Sequence, residues 1–563
     1  MLNSFNITFK LKQNMKRKVL LLTMLLFATL LVTAQNKRYA KPGATGGGTS
    51  WSDASGDIQK LMDDLAALGG GEVWISAGVY VPLHRLAGTA GDQNKTFLLR
   101  SGVKLYGGFA GNETALSQRN YVKNPTVFSA KTGFILSCLH VMLASEVKDV
   151  VVDGVTVSAG NSNINAPTTI VVNGHKIFTN SGGGLYSVAS TVKLENVIMQ
   201  ENTSFHGAGI FVEGGKVSLV NAVVCKNASL VEGAGIYCIN GELNIDNSLI
   251  DANASIKLGG GIYCVGSTVT INDSKIFANA ATVSGGGIGC YKSTLNVNSS
   301  KIQANKVSND GGGVSVVEST VTFKNVLVAQ NTAKDNGGGM HCITSSAVNL
   351  INSTVAHNHA DGYGGGVYNI DNGLKFDIRN SIIWGNTASM HSGTIASQNI
   401  FGTGVTYSYS LAEDMNGTPG IILDADPQFD DEYNLTENSP ARSKGNNEHY
   451  KEAGNIEKDH DPAGNPRLQG STIDLGAYEY PASITHIDGT ETDTQGGKSV
   501  WSYDGKLYVK TDKPAQVEVY NLAGILVEKT KVGEGENILQ LLQGGMYIVV
   551  LDGKPCKILV NNQ

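Results

Sequence analysis

Proline, charge and aromatic side chains are all scarce in this chain, and each shortage removes a class of protein. Proline supplies only 12 of 563 residues against 69 glycines, which leaves room for many tight turns and excludes a proline-rich linker or collagen-like chain. Charged residues reach 16% while hydrophobic ones reach 41%, so the chain has the apolar material for a packed core and is not of the disordered type. A net charge of -6 with no basic block beyond the N-terminus argues against a nucleic acid partner. After residue 34 no segment approaches the roughly 20 apolar residues that a membrane span requires.

The N-terminus sets the expected compartment. From Met15 the chain reads MKRKVLLLTMLLFATLLVTAQ: basic residues, an apolar run from Val19 to Val32, then Val32-Thr33-Ala34, a small-residue cleavage pattern of the bacterial secretory type. Residues 1–34 are therefore expected to be a signal peptide that starts at Met15, residues 1–14 an upstream extension, and the exported chain to begin at Gln35. The rival reading, a membrane anchor, meets an apolar run that is short for a span.

The strongest positive signal is a repeat. Between residues 182 and 366 the chain writes Gly-Gly-Gly or Gly-Ala-Gly eight times, at a recurrence of 25 to 27 residues. The outer glycines never vary: Gly182 and Gly184, Gly207 and Gly209, Gly233 and Gly235, Gly259 and Gly261, Gly285 and Gly287, Gly311 and Gly313, Gly337 and Gly339, Gly364 and Gly366. The middle position accepts Ala208 and Ala234. An asparagine column keeps the same phase: Asn202, Asn227, Asn253, Asn279, Asn305, Asn331, Asn358 and Asn386. Such a period is too short for two packed helices and suits one turn of short parallel strands, so the fold class is all-β, a parallel β-helix of about 26 residues per rung.

Three strands per rung are predicted, stacking into three parallel sheets about a dozen rungs long. One core column runs Leu185, Ile210, Ile236, Ile262, Ile288, Val314, Met340 and Val367, and another Met199, Val224, Ile250, Ile276, Ile302, Val328, Val355 and Ile383. Cys238, Cys264, Cys290 and Cys342 fall on an inward column, as small buried hydrophobes or as a bridged neighbour pair, because parallel strands about 4.8 Å apart lie within disulfide reach. The glycines are expected to hold a corner, the outer two by positive φ or by close approach of a backbone with the middle one free, and the asparagines another corner, in the left-handed region and joined as an amide ladder. A calcium role for the glycines fails, since no Asp follows at the spacing of calcium-binding repeats. Residues 35–130 form the N-terminal cap and first rungs, with a lid helix over 57–68 that buries Ile58, Leu61, Met62, Leu65 and Leu68. Residues 180–390 carry the regular repeats, 380–480 an irregular end, 481–499 a polar linker and 500–563 a small β-sandwich with a hairpin turn at Asp552-Gly553.

At this point resemblances enter. The segments YAKPGATGGGTSWSDASGDIQ, GGGEVWISAGVY and LYGGFAGNET resemble the N-terminal part of secreted bacterial right-handed parallel β-helix proteins of the pectin-lyase-like superfamily. NSIIWGN, DADPQFDDEYNL, SPARSKG and DPAGNPRLQGSTIDLGAYEY are similar to the choice-of-anchor Q domain. The end of the chain, with VYNLAG, GMYIV and a last strand closing at Val560, is similar to the C-terminal sorting domain of the type IX secretion system of Bacteroidota. That resemblance implies passage across the outer membrane and attachment at the surface, with the type IX machinery as partner. The glycine triplets also resemble those of chlamydial polymorphic outer membrane proteins, but the Gly-Gly-Ala and Phe-x-x-Asn motifs and C-terminal barrel of that family are missing.

The outward columns carry the candidate functional residues. Beside the first sheet Tyr186, Phe211, Tyr237 and Tyr263 form an aromatic column on which sugar rings can stack, the alternative being mutual stacking. The second sheet's outward column, Lys193, Ser218, Asn244, Thr270, Asn296, Thr322 and Asn349, holds no carboxylate, and neither does the aromatic one, so no catalytic residue is assigned. On the third sheet Asp251, Lys275 and Lys301 face outward, the lysines positioned to meet a uronate or else simply solvated. No cofactor or metal is expected; Asp424, Asp426, Asp430 and Asp431 leave calcium as an alternative to turn formation. The expected function is that of an exported or surface-attached monomer contacting a glycan or host surface as an adhesin, the alternative being a polysaccharide lyase or glycoside hydrolase.

Overall fold

The computed structural model describes residues 36–132, 135–136, 138–164, 167–370, 375–390, 398–480, 499–503, 506–521, 526–540, 545–552 and 554–560. The expected signal peptide and nearly all of the expected linker lie outside the described residues. The chain divides into two compact units, Met1–Tyr480 and Pro481–Gln563.

One rung shows how the sequence coils. In residues 259–284 the strands are Ile262–Val265, Thr268–Asn272, Lys275–Phe277 and the short Ala280–Ala281. Each is preceded by a corner residue in the left-handed region: Gly259 (φ 60°), Gly266 (φ 58°), Asp273 (φ 50°) and Ala278 (φ 52°). Between corners the side chains alternate, and Ile262, Cys264, Val269, Ile271 and Ile276 are fully buried in one channel. The three expected sheets are therefore joined by a fourth, narrow ladder that runs from Asn161–Ser162 to Thr387–Ala388. Every rung pairs in parallel with its neighbours. The second sheet links Lys37–Ala40 to Val405–Ser408 through twelve successive pairings, about 58 Å at the parallel-strand spacing.

The asparagine ladder forms, at a place other than a left-handed corner. Asn279 donates Nδ2 to Asn305 Oδ1 (3.0 Å) and to the Ile250 carbonyl (2.9 Å), while its own Oδ1 accepts from the backbone N–H of Asn253 (3.0 Å) and from Asn253 Nδ2 (2.9 Å). The same links repeat up and down the column. The left-handed residue is the one before each asparagine, such as Ala252, Ala278 or Ala304, and the asparagine is buried beneath it. An inward amide that satisfies backbone groups of two rungs is worth more here than a permissive φ, because a buried polar group left unpaired is costly.

The two reasons for an outer glycine divide between the first and third positions, and the expected freedom of the middle one needs correction. Only the first of each triplet has positive φ; the third is glycine because of crowding. A Cβ on Gly261 would lie 2.7 Å from the Gly287 carbonyl and 3.0 Å from Asn279 Nδ2. The middle position is not free either, since a Cβ on Gly260 would meet the Ala280 and Gly286 carbonyls at 2.3 and 2.4 Å. Ala208 and Ala234 occur where the strand before the corner runs on, as Thr203–His206 and Ala228–Glu232, instead of stopping after two residues as Ala254–Ser255 does.

One open end and one outer face are covered from outside the repeat. Helix α1 (Ile58–Ala67) is capped by Asp57, whose side chain accepts from the Lys60 N–H, and buries Ile58, Leu61, Met62 and Leu65. Leu68, expected on that face, is the C-cap and stays exposed at 54%, because Gly69 and Gly70, with φ of 85° and 118°, already turn the chain away. At the other end residues 424–480 form a strap that returns along the outside of the third sheet. Tyr478 packs on Leu327, Ala329 and Ala356, Leu475 on Ile382 and Leu411, and Tyr450 on Ile351. Arg467, fully buried, clasps the strap by donating to the carbonyls of Ala477 (2.9 Å), Asp474 (3.1 Å) and Gly476 (3.2 Å) and pairing with Glu479 at 2.8 Å.

The second unit is antiparallel. A three-stranded sheet (Ser499–Tyr503, Lys506–Thr511, Gly535–Gln540) and a four-stranded one (Ala515–Asn521, Leu526–Val532, Gly545–Leu551, Lys554–Val560) share a core of Leu507, Val509, Val517, Val519 and Val549, a small β-sandwich.

Candidate functional site

The strap ends over the third sheet beside Pro462, and there the outer face opens into a groove of about 420 Å³ lined by Leu249, Asp273, Lys275, Ser299, Lys301 and Pro462. A second hollow of about 310 Å³ shares Asp273 and Ser299 and adds Asp246, Lys324, Asp459 and His460. Sequence periodicity places the side chains here. Lys275 and Lys301 are register partners on adjacent strands, so their stems rise about 4.8 Å apart. Asp273 and Ser299 occupy the left-handed corner just before them.

The strap completes the site. His460 sets Nε2 3.5 Å from Asp273 Oδ1, and its carbonyl accepts from Ser299 Oγ at 2.6 Å. Lys324 Nζ donates to Asp459 at 2.7 Å and Tyr450 Oη donates to the same carboxylate at 3.0 Å. Lys275 Nζ lies 4.0 Å from the Phe277 ring centre, and Lys301 Nζ 5.5 Å from that of Tyr478. Along the rim Asn272 bonds Asp246 (2.7 Å) and Asn298 bonds Asn272 (2.9 Å), which fixes these side chains against the sheet.

Electrostatics separate the two lysines. Burial pushes the Lys301 ammonium below the usual lysine range, the neighbouring Lys275 charge adding to this and Glu432, Asp461 and Asp430 opposing it. Burial raises the Asp273 carboxyl, with Asp246 adding to the rise and His460 opposing it. The Asp459 carboxyl goes the other way: burial alone would raise it, but the Lys324 hydrogen bond and charge prevail and hold it low. Lys301 is thus half-buried under the strap's edge and is not the solvated lysine of an open face. Two stacked cations beside a carboxyl and an imidazole can take a carboxylate-bearing ligand, with Leu249 and Pro462 offering apolar contact.

The aromatic column has another fate. The hairpin Thr169–Val172 and His175–Phe178 lays Val172 and Ile177, together with Leu86, over Tyr186, Phe211 and Tyr237. These three are buried, Tyr186 completely, so they present no open stacking strip; of the expected column only Tyr263 stays half-exposed. The rings pack on one another in tilted and edge-to-face contacts at centroid separations of 4.8, 5.4 and 5.5 Å, and Tyr186 Oη donates to Glu213 at 2.8 Å. Carboxylates sit in the columns on either side, at Glu213, Glu232 and Asp310, outside the three outward columns from which acids are expected. The residue before each first glycine keeps the same period, from His206 and Glu232 to Asp310 and Tyr363, and that phase could have revealed them. Further along, His341, Tyr368 and Phe401 make a second stack at 5.1 and 5.7 Å. The acidic cluster forms turns: Asp426 accepts from the Gln428 N–H, Asp430 from those of Glu432 and Asn434, and Asp424 from that of Asp414.

Comparison with known proteins places the fold. Residues 187–355 match the family described as "Right handed beta helix region". Solved structures similar to the chain include pectate lyase Pel9A, 14% identical over 79% of this chain and 97% of that one, with a TM-score of 0.42. The mannuronan C-5 epimerase AlgE4 A-module of Azotobacter vinelandii is 14% identical over 65% of this chain and 90% of that one (TM-score 0.27). The tailspike protein of E. coli bacteriophage HK620, as a double mutant, is 13% identical over 65% of this chain and 73% of that one (TM-score 0.30). No curated protein matches. The first unit is a parallel β-helix, and the family model that matches residues 187–355 of it describes a right-handed one.

Proposed function

We propose that the protein holds an acidic polysaccharide against the outside of its third sheet, in the groove where the strap ends. The observation that carries this reading is the placement of Lys275 and Lys301, in register on neighbouring rungs, in one groove with Asp273 and His460 at its rim. Two lysines whose backbones lie about one strand spacing apart can meet the carboxylates of a uronate polymer, and the apolar lining accepts the faces of sugar rings. A second reading, catalysis, is favoured by one fact. Burial pushes the Lys301 ammonium below the usual lysine range and the Asp273 carboxyl above the usual Asp range, so one groove holds an amine and a carboxyl shifted in the directions that acid–base chemistry uses.

Affinity electrophoresis on polygalacturonate, alginate and hyaluronan, with a neutral glucan as control, tests the binding. Retardation by acidic polymers alone is expected, and equal retardation by the glucan contradicts it. Release of unsaturated uronates from the same polymers, measured by ultraviolet absorbance, decides between holding and cleaving. Export and surface display, with residues 500–563 as the type IX sorting domain and 380–480 as the anchor module, belong to the same proposal, as does an adhesin role toward a glycan or host surface. In a host with that machinery, loss of residues 500–563 should strand the folded β-helix in the periplasm, and normal display of the truncated chain would refute the sorting role.

A further inference from the structure

We infer that Cys264 and Cys290 form a disulfide that staples the two rungs carrying the groove's lysines. Their sulfur atoms lie 3.1 Å apart, closer than the roughly 3.5–4.0 Å at which even the smaller carbon atoms pair best. The two residues are register partners on adjacent parallel strands, where a Cα separation of about 4.8 Å falls within the disulfide range of roughly 4.4–6.8 Å. Both side chains point into the channel and are almost completely buried, Cys264 at 0% and Cys290 at 2% exposure. Cys238 is the other register neighbour of Cys264, but the close sulfur contact is the one to Cys290, and Val316 stands between Cys290 and Cys342. The rung of Cys264 also bears Asp273 and Lys275, and that of Cys290 bears Ser299 and Lys301. The staple therefore fixes the register on which the groove depends.

The chemistry is thiol–disulfide exchange with an external disulfide, such as oxidised glutathione or a disulfide-donating oxidoreductase. One cysteine thiolate attacks that disulfide and displaces a thiolate; the second cysteine thiolate then attacks the mixed disulfide and releases the other half. The two cysteines lose two protons and two electrons, and the external disulfide is reduced to two thiols. The contact with Cys264 and burial hold the Cys290 thiol well above the ordinary thiol range, so the exchange belongs to folding, before the channel closes.

Peptide mapping tests this on the full chain. The chain is refolded in a glutathione redox buffer, alkylated after unfolding and digested with trypsin without reduction. Cleavage after Lys257, Lys275 and Lys292 puts Cys264 in peptide 258–275, Cys290 in 276–292 and Cys238 in 227–257. The expected result is one linked species of 258–275 with 276–292 that reductant separates, with Cys225 and Cys342 alkylated. Recovery of both peptides as alkylated thiols, or a link from 258–275 to 227–257, overturns the proposal. The urea midpoint of the oxidised chain should also exceed that of the reduced chain, and Cys290→Ala should abolish the difference. A linked pair with unchanged midpoint refutes the stapling role.

Discussion

The first and third sheets of this β-helix are built from the same repeat, yet their outer faces have opposite fates. On the first sheet the regular aromatic column invites a ligand, and the hairpin at 169–178 buries most of it. On the third sheet the outward column is an unremarkable mixture of Val223, Leu249, Lys275 and Lys301, and the strap that covers its far end turns the uncovered stretch into a groove. Periodicity decides which way a side chain points; segments outside the period decide whether that direction meets solvent. The strap, more than any repeat, is what distinguishes one rung from the next.

The sharpest way to break this contrast is to release the strap. Arg467→Leu removes a buried partner from Glu479 and the donor to the Ala477 and Gly476 carbonyls, the Asp474 carbonyl keeping Asn352 Nδ2, which should cost about 3–5 kcal/mol of strap stability. Limited proteolysis should then cut within 424–480 while the solenoid holds, because a solenoid's stability is close to a sum over neighbouring rungs. A strap that remains protected would show that its apolar contacts suffice without the clasp.

A smaller loss is expected inside the repeat, where both faces depend on the same ladder. Asn279→Ala strands the Ile250 carbonyl and groups of the flanking asparagines and should destabilise by about 2–3 kcal/mol in urea unfolding. Gly260→Ala should cost about 1–3 kcal/mol through overpacking against two carbonyls, although alanine fills the same position at 208 and 234. An unchanged urea midpoint would restore the view that the middle glycine is free. Smallest of all, Ala278→Gly relieves a left-handed alanine and should stabilise by no more than about 1 kcal/mol, since the added freedom of the unfolded chain offsets part of the gain.

How far the sequence could be read follows the same division. The period, the inward columns, the amide ladder and the cysteine stack were legible, because each is a property of one rung repeated at fixed phase. Gly261 is legible as structural, but the sequence leaves two reasons open, since close approach of Asn279 and the Gly287 carbonyl leaves no mark that distinguishes it from positive φ. Lys275 and Lys301 were found as a stacked pair, but His460 and Tyr478 lie more than 150 residues away and no periodicity connects them to those lysines. Likewise nothing in Tyr186 or Phe211 announces that Ile177 will cover them.

The groove also carries a pH signature. Because burial holds the Lys301 ammonium below the usual lysine range, it loses its charge first as pH rises, and affinity for an acidic polymer should fall before that range is reached. Lys301→Ala should flatten this decline, and an identical pH profile for the variant would remove Lys301 from the contact.

The central claim, that the strap-edged groove and not the aromatic face meets the ligand, is tested most directly by hydrogen-exchange footprinting of the full chain with and without polygalacturonate. Protection should appear in residues 273–303 and 459–462 and vanish in the Lys275→Ala/Lys301→Ala double variant. Protection centred on Tyr263 and Tyr291 of the first sheet, or none at saturating polymer, would contradict the account.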